Sequence, residues 1–177
     1  KVKIHLLLKG TMPITETLPN EWYSTPNLHM CTIKDFFNFC SKKKIEFLST
    51  GFDIKSIKFL NSINQKRFKI PSGEITNYPL LRFIAKQKKE IILSTGMSNL
   101  GLIEDSLNVI AKTGNSNVAL LHCNSTYPAA AEDMNIEAIN TLKKCFNLPV
   151  GLSDHTLGLL VSTVALSIGS NIIERHF

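Results

Sequence analysis

The stretch EIILSTGMSNLGLIEDSLNVIAKTGNSNVALLHC, residues 90–123, decides the fold. It opens on a short apolar run (90–95), breaks at Thr95-Gly96, and offers Ser98 as a helix cap. Leu102, Leu107, Ile110 and Ala111 then recur at helical spacing, and Gly114 precedes a second apolar run (118–123). Runs that are apolar on both faces suit parallel strands buried beneath helices, and a side-chain cap at one end with a glycine at the other is helix punctuation. This is one strand-helix-strand unit.

The same unit extends in both directions. Further strands are expected at VKIHLLL (2–8), IEFLST (45–50), RFKIPS (67–72), LPVGLSD (148–154) and NIIERHF (171–177), making seven in all. Thr32 is placed to cap a helix over 33–44, Asp53 one carrying Ile54, Ile57, Leu60 and Ile63, and Asn135 one over 136–146. The apolar run after Gly158 stops at Gly169. From residue 45 onward the strands start 22 to 30 residues apart, without a returning antiparallel run, which predicts parallel strands joined by right-handed crossovers. The natural closure is a (β/α)8 TIM barrel, which takes about 250 residues. The 177 residues are therefore expected to form one incomplete catalytic domain holding strands two to eight, with a first strand ahead of Lys1 and a last helix beyond Phe177. Two unpaired edges, VKIHLLL and NIIERHF, would then be open to aggregation. An open doubly wound sheet is the alternative, although no G-x-G-x-x-G follows any strand. Residues 9–31, with Pro13, Pro19, Pro26 and the lone Trp22, read as a long loop at the C-terminal face of the strands.

Composition narrows the function class. A net charge of +6 (20 basic against 14 acidic residues), 44% apolar and 8% aromatic residues describe a globular chain, not a disordered or collagenous one. No stretch approaches the roughly 20 apolar residues of a membrane span, and the N-terminal run is too short for a signal sequence. Cys31, Cys40, Cys123 and Cys145 form no C-x-x-C pair, so free thiols in a reducing cytoplasm are expected. The lysines at 42–44, 86–89 and 143–144 fall where helices end, where cations complement the dipole, and no aromatic interleaving points to nucleic acid.

In a parallel barrel the chemistry sits at the C-terminal ends of the strands. Leu48-Ser49-Thr50-Gly51 and Leu93-Ser94-Thr95-Gly96 repeat a motif 45 residues apart, Ser72-Gly73 lies between them, and Ser125-Thr126 and Ser153 mark later strand ends. Such hydroxyls and glycine-opened N–H groups suit an oxyanion, though they also make good turns and caps. Lys69 lies inside an apolar strand and Lys3 inside another; buried lysines need an anionic partner, which makes both candidates for an anionic substrate. His155 and His176 end two consecutive strands. At the spacing of about 4.8 Å between neighbouring strands, they could share one ion, or be a solvent-facing or hydrogen-bonded pair. Ser153 falls on the face of His155, and Glu174 on the face of His176. His5, His29 and His122 read as ordinary structural histidines.

FLSTGFD (47–53), KIPSGEITNYPLL (69–81), ILSTGMSNL (92–100), LLHCNSTYPAAAEDMN (120–135), GLSDHTLG (151–158) and IIERHF (172–177) occur in this order, and together they resemble the N-acetylneuraminate (sialic acid) synthase family. The resemblance implies a cytoplasmic, homodimeric TIM-barrel enzyme that condenses phosphoenolpyruvate with an N-acyl amino sugar and water, releasing phosphate. It implies N-acetylmannosamine as the sugar, with the precursor of legionaminic or pseudaminic acid as the alternative within the same chemistry. A barrel that binds an anionic metabolite without turning it over is the alternative from another class. Position by position, it assigns phosphoenolpyruvate binding to Lys3, Thr50, Lys69, Ser72, Ser94 and Ser153, and divalent-metal ligation (Mn2+ or Mg2+) to His155 and His176. Glu74 and Tyr127 would face the sugar, Phe52 would form a pocket wall, and Ser125 would stand beside Asn124 at an anion contact. Lys69 and Glu74 are the residues implied to be catalytic. Gly51 stands where the family commonly has proline, and His5 where glutamine is frequent. The family's C-terminal antifreeze-like domain, which lends an arginine to the partner's site, has no counterpart in these residues.

Overall fold

The structure, a computed structural model, describes residues 3–6 and 30–176, and the side chains among them except those of 3–6, 30–32 and 34. The loop expected over 9–31 lies outside the described residues but for its last two positions, as do the side chains of Lys3, His5 and Cys31.

Strands and helices alternate except at α1 and α2, which follow one another: β1 (Lys3–Leu6), α1 (Met30–Lys42), α2 (Ile54–Ser62), β2 (Arg67–Ile70), α3 (Tyr78–Ala85), β3 (Glu90–Ser94), α4 (Leu100–Ala111), β4 (Val118–Cys123), α5 (Ala138–Phe146), β5 (Val150–Asp154), α6 (Leu160–Ser167) and β6 (Ile172–Arg175). The six strands form one parallel sheet in the order β1-β6-β5-β4-β3-β2. This is a parallel α/β half-barrel.

Two expectations about strands are corrected. Residues 45–50 form no strand: Ser49 alone is in a bridge. The Gln65 side chain explains why, because its amide takes both backbone groups of Ser49, accepting from Ser49 N and donating to Ser49 O, each at 2.9 Å. A side chain thus replaces the ladder that a neighbouring strand would supply. Nor do the first and last runs stand as two open edges: NIIERHF lies inside the sheet, between β1 and β5, while VKIHLLL remains a terminal strand, with β2 at the other end. β1 pairs with β6 in parallel, with Lys3 opposite Ile172 and His5 opposite Glu174 at the Cα level, so each satisfies backbone groups of the other.

Helix boundaries follow side-chain chemistry. Asp53 caps α2 by accepting from Ser56 N at 2.8 Å. Asn99, not Ser98, caps α4, because its extended backbone (φ −94°, ψ 171°) aims its carbonyl at Leu102 N, 2.9 Å away. Asn135 does not cap α5; it adopts the left-handed conformation (φ 41°, ψ 57°) that ends a short 3-10 turn, and α5 begins at Ala138. Helix α1 begins at Met30, ahead of Thr32.

Alternation along each strand divides the side chains between two faces. One face, with Phe68, Ile70, Ile91, Leu93, Leu120, Leu152 and Ile173, packs against Ile57, Leu60, Leu81, Ile84, Ile103, Ile110, Ile139, Leu142 and Val161 of the helices. Burying each such side chain contributes about 1.5–3 kcal/mol. The other, inner face holds a smaller apolar cluster of Leu48, Ile92, Ala119, Leu121 and Ile172. Below it, Arg67 pairs with Glu46 at 2.6 Å and Glu90 at 2.7 Å, and above it the polar residues begin.

Candidate active site

Register builds the site. On the inner face β2 contributes Lys69, β3 Ser94, β5 Ser153 and β6 Glu174, with Ser153 directly opposite Glu174. Lys69 is 3% exposed, and its Nζ donates to Ser94 Oγ at 2.7 Å and lies 3.3 Å from Glu174 Oε1. Ser153 Oγ donates to the same carboxylate oxygen at 2.7 Å. A buried ammonium and a buried carboxylate thus hold each other, as burial requires.

His155 stands one step above. Its Nδ1 lies 2.6 Å from Asn124 O; a carbonyl only accepts, so Nδ1 carries the proton and the Nε2 of the neutral ring keeps its lone pair. Nε2 lies 3.2 Å from Ser153 Oγ, whose single proton is directed to Glu174. Burial holds the imidazole pKa below its usual value, reinforced electrostatically by the neighbouring His176 and Lys69, although the Asn124 carbonyl and Glu174 pull the other way. The His155 and His176 rings are 5.2 Å apart between centroids, and the Tyr127 ring stacks on His155 at 3.9 Å.

These two imidazoles fit the divalent ion that the resemblance implies. The carbonyl-anchored Nδ1 of His155 is the arrangement that orients a histidine ligand and leaves Nε2 basic. No group of three His, Cys, Asp or Glu able to hold a metal occurs among the described residues.

A second cluster closes around Gly96. Ser72 Oγ lies 3.1 Å from Cys123 Sγ. A Cβ on Gly96 would stand 2.7 Å from Cys123 Sγ, 2.9 Å from Ser125 Oγ and 3.0 Å from Ser72 Oγ. Glycine is needed there for three strand-end side chains to converge.

Lys69, Ser94, Ser153, His155, His176 and Tyr127 are therefore brought together, and Ser72 and Ser125 meet beside them. Thr50 Oγ1 is buried with no hydrogen-bond partner among the described residues. Glu74 lies in the turn before α3, its Oε2 accepting from Asn77 Nδ2 at 2.7 Å. Phe52 is 46% exposed. His122 points to the opposite face, its Nε2 2.6 Å from Met134 O, an ordinary structural contact. Sequence reasoning had placed Glu174 on the face of His176 without giving it a role, yet it holds Lys69 and Ser153 together; a lysine and a glutamate that are both buried are each other's natural partners. It also gave no role to the Cys123 thiol or to the Asn124 carbonyl.

The NeuB family matches residues 14–177 of the chain. N,N'-diacetyllegionaminic acid synthase of Campylobacter jejuni is 51% identical over 146 residues, covering 81% of this chain and 44% of that protein. Its namesake in Legionella pneumophila is 51% identical over 137 residues, covering 75% of this chain and 38% of that protein. The chain thus spans less than half the length of these two relatives. The crystal structure of N-acetylneuraminic acid (sialic acid) synthetase from Leptospira borgpetersenii in complex with citrate matches with a TM-score of 0.82 at 34% identity, over 86% of this chain and 53% of that one. With its strand-end motifs in order, its half-barrel shared with that synthetase and nearly its whole length matched, the chain belongs to the NeuB family.

Proposed function

We propose that this chain is the barrel portion of a sialic-acid-type synthase, which joins phosphoenolpyruvate to an N-acyl amino sugar with water and releases phosphate. The observation that carries this reading is the buried Lys69 with its Ser94 and Glu174 partners beneath the His155–His176 pair. An enol phosphate is close to trianionic at neutral pH. The Lys69 ammonium and the hydroxyls of Ser94 and Ser153, with Ser72, Ser125 and Thr50 around them, offer charge-assisted donors for it. Lys3 would add a second ammonium, and Phe52 and Tyr127 would flank the sugar. Glu74 is the candidate to move a proton. The enol carbon bonds to the sugar aldehyde carbon, water adds at the phosphate-bearing carbon, and the bond from that carbon to the phosphate oxygen breaks. A divalent cation, Mn2+ or Mg2+, held by His155 and His176 would supply Lewis-acid polarisation of the aldehyde.

The relatives bear on the choice of acceptor. Identity of 51% to two N,N'-diacetyllegionaminic acid synthases favours the precursor sugar of that acid over N-acetylmannosamine, the acceptor implied by the motifs alone. A homodimer with a C-terminal antifreeze-like domain completes the proposed enzyme. Phosphate release by the full-length protein, measured from phosphoenolpyruvate with each of the legionaminic, neuraminic and pseudaminic precursors, with and without Mn2+, tests the reading. Release with the legionaminic precursor is expected. No release with any of the three would refute the enzyme, and phosphoenolpyruvate binding without turnover would indicate an anionic-metabolite-binding barrel.

A further inference from the structure

Arg175 lies between Glu174 and His176 in sequence but on the opposite face of the sheet, paired in register with Asp154 of β5, which itself lies between Ser153 and His155. The two residues flank the site from behind. Asp154 is fully buried: its Oδ1 accepts from Thr156 N at 2.9 Å and Thr156 Oγ1 at 2.7 Å, and its Oδ2 accepts from Ser162 Oγ at the start of α6. Burial raises the Asp154 pKa, but the donors from Ser162 and Thr156 and the nearby Arg175 outweigh it and hold the carboxyl below its usual value. Arg175 is mostly buried. Its Nη2 donates to Thr156 O at 2.9 Å, its Nη1 donates to Gly158 O, and Nη1 lies 3.5 Å from both Ser162 Oγ and Asp154 Oδ2.

These bonds tie the turn 155–159, which starts with His155, to the strand that carries His176. On its other side the turn is fastened to the segment bearing Tyr127, since Ala129 N donates to His155 O at 3.0 Å. Without Arg175, nothing among these bonds would join the Thr156 and Gly158 carbonyls to β6.

We infer that Arg175, with Asp154 and Ser162, is a positioning latch that sets His155 against His176 from the far face of the sheet. The guanidinium is needed because its planar fork reaches two carbonyls and a carboxylate at once, which an ammonium does not reproduce. This inference rests on the proposed role of the two histidines, and its test has an arm that does not.

In the full-length protein, amide hydrogen exchange over residues 155–159 is compared between metal-free wild type and Arg175→Lys, with Ser162→Ala as a second variant that removes only the shared hydroxyl. Mn2+ affinity and the kinetics for phosphoenolpyruvate are measured in parallel. Arg175→Lys is expected to speed exchange in this turn at least tenfold while α3 and α4 stay protected. It should also weaken Mn2+ binding about 10- to 100-fold, the usual effect of losing support behind a ligand, and lower kcat with little change in the KM for phosphoenolpyruvate. Ser162→Ala should shift each quantity the same way by a smaller factor. Unchanged exchange over 155–159 in a folded Arg175→Lys protein would overturn the latch. Should Arg175→Lys not fold, unchanged exchange in Ser162→Ala would do the same. Wild type that binds no Mn2+ would instead overturn the metal reading and leave the exchange arm to decide the latch.

Discussion

Lys69→Met removes the ammonium at the centre of the site while keeping its length. Lys69 is 3% exposed and the Glu174 side chain 8%, with Nζ and Oε1 3.3 Å apart. Desolvation cancels much of what such a pair gains from its attraction, so its net contribution is small, but removing one member strands the other and costs about 3–5 kcal/mol. Glu174 would keep the Ser153 hydroxyl as a donor, which is not enough for a buried carboxylate. Glu174→Gln should cost a similar amount by leaving Lys69 with Ser94. The double variant Lys69→Met/Glu174→Gln buries no charge and should return to within about 1 kcal/mol of wild type, or exceed it. The coupling, the sum of the two single losses less that of the double variant, is then about 6–10 kcal/mol, well beyond the roughly 0.5 kcal/mol within which independent sites add. Urea unfolding of the full-length protein and its three variants, followed by circular dichroism, measures it. Losses that simply add would refute the claim that these two charges hold each other. The double variant also separates stability from function, since a restored fold that no longer binds phosphoenolpyruvate is what a substrate lysine requires.

The remaining expectations concern backbone approach and the paired histidines. Gly96→Ala should cost about 1–3 kcal/mol by overpacking and raise the KM for phosphoenolpyruvate, because its Cβ would enter the Ser72–Cys123–Ser125 cluster. Gly73→Ala, whose Cβ meets nothing within 4 Å, should leave the melting temperature unchanged. In Gly151→Ala the new Cβ would stand 2.3 Å from Ile172 O, so β5 and β6 must part; a loss at or above about 3 kcal/mol, the upper end of overpacking, is expected in thermal melts. His155→Ala and His176→Ala in the full-length enzyme should each abolish stimulation by Mn2+, and an unchanged Mn2+ titration of turnover would remove them as ligands.

The alternation of strands and helices was legible because β2 to β5 are short apolar runs that end at or near a small polar residue (Ser72, Ser94, Ser125 and Ser153), a pattern that parallel strands beneath helices impose. Residues 45–50 show the limit of that signal. IEFLST has a strand's composition, but whether it joins a ladder depends on what its backbone meets, and there the Gln65 amide takes the place of a strand. The pairing of β1 with β6 was illegible for a similar reason: an apolar run records that a strand wants partners, not which ones. At the site, Lys69, Ser153 and the two histidines stood out because a cation or imidazole in an apolar strand calls for an explanation. Asn124 acts through its backbone carbonyl and Gly96 through the side chain it lacks, and neither leaves a mark in residue type. The Ser98 and Asn135 caps failed because a polar residue one or two places away, or a left-handed turn, serves a helix start equally well in sequence and very differently in space.

Strands β5 and β6 show how one stretch of sequence serves two purposes. Toward the inner face β6 presents Ile172, Glu174 and His176 in turn, passing from the apolar cluster to the charge pair to the paired imidazoles. Toward the helices it presents Ile173 and then Arg175, passing from core to latch. On β5 the sequence Gly151, Ser153, His155 faces inward while Leu152 and Asp154 face the helices. Both faces turn polar at the same height, where the strands end and the turns must be held, so the residues that would act on substrate and those that would hold them alternate along the chain. A slip of one residue between the two strands would exchange the faces, placing Arg175 in the site and Glu174 in the helix packing. Gly151 opposes that slip by letting β5 approach the Ile172 carbonyl more closely than any side chain allows. A glycine with no chemistry of its own thereby fixes which charges lie on the inner face of the sheet.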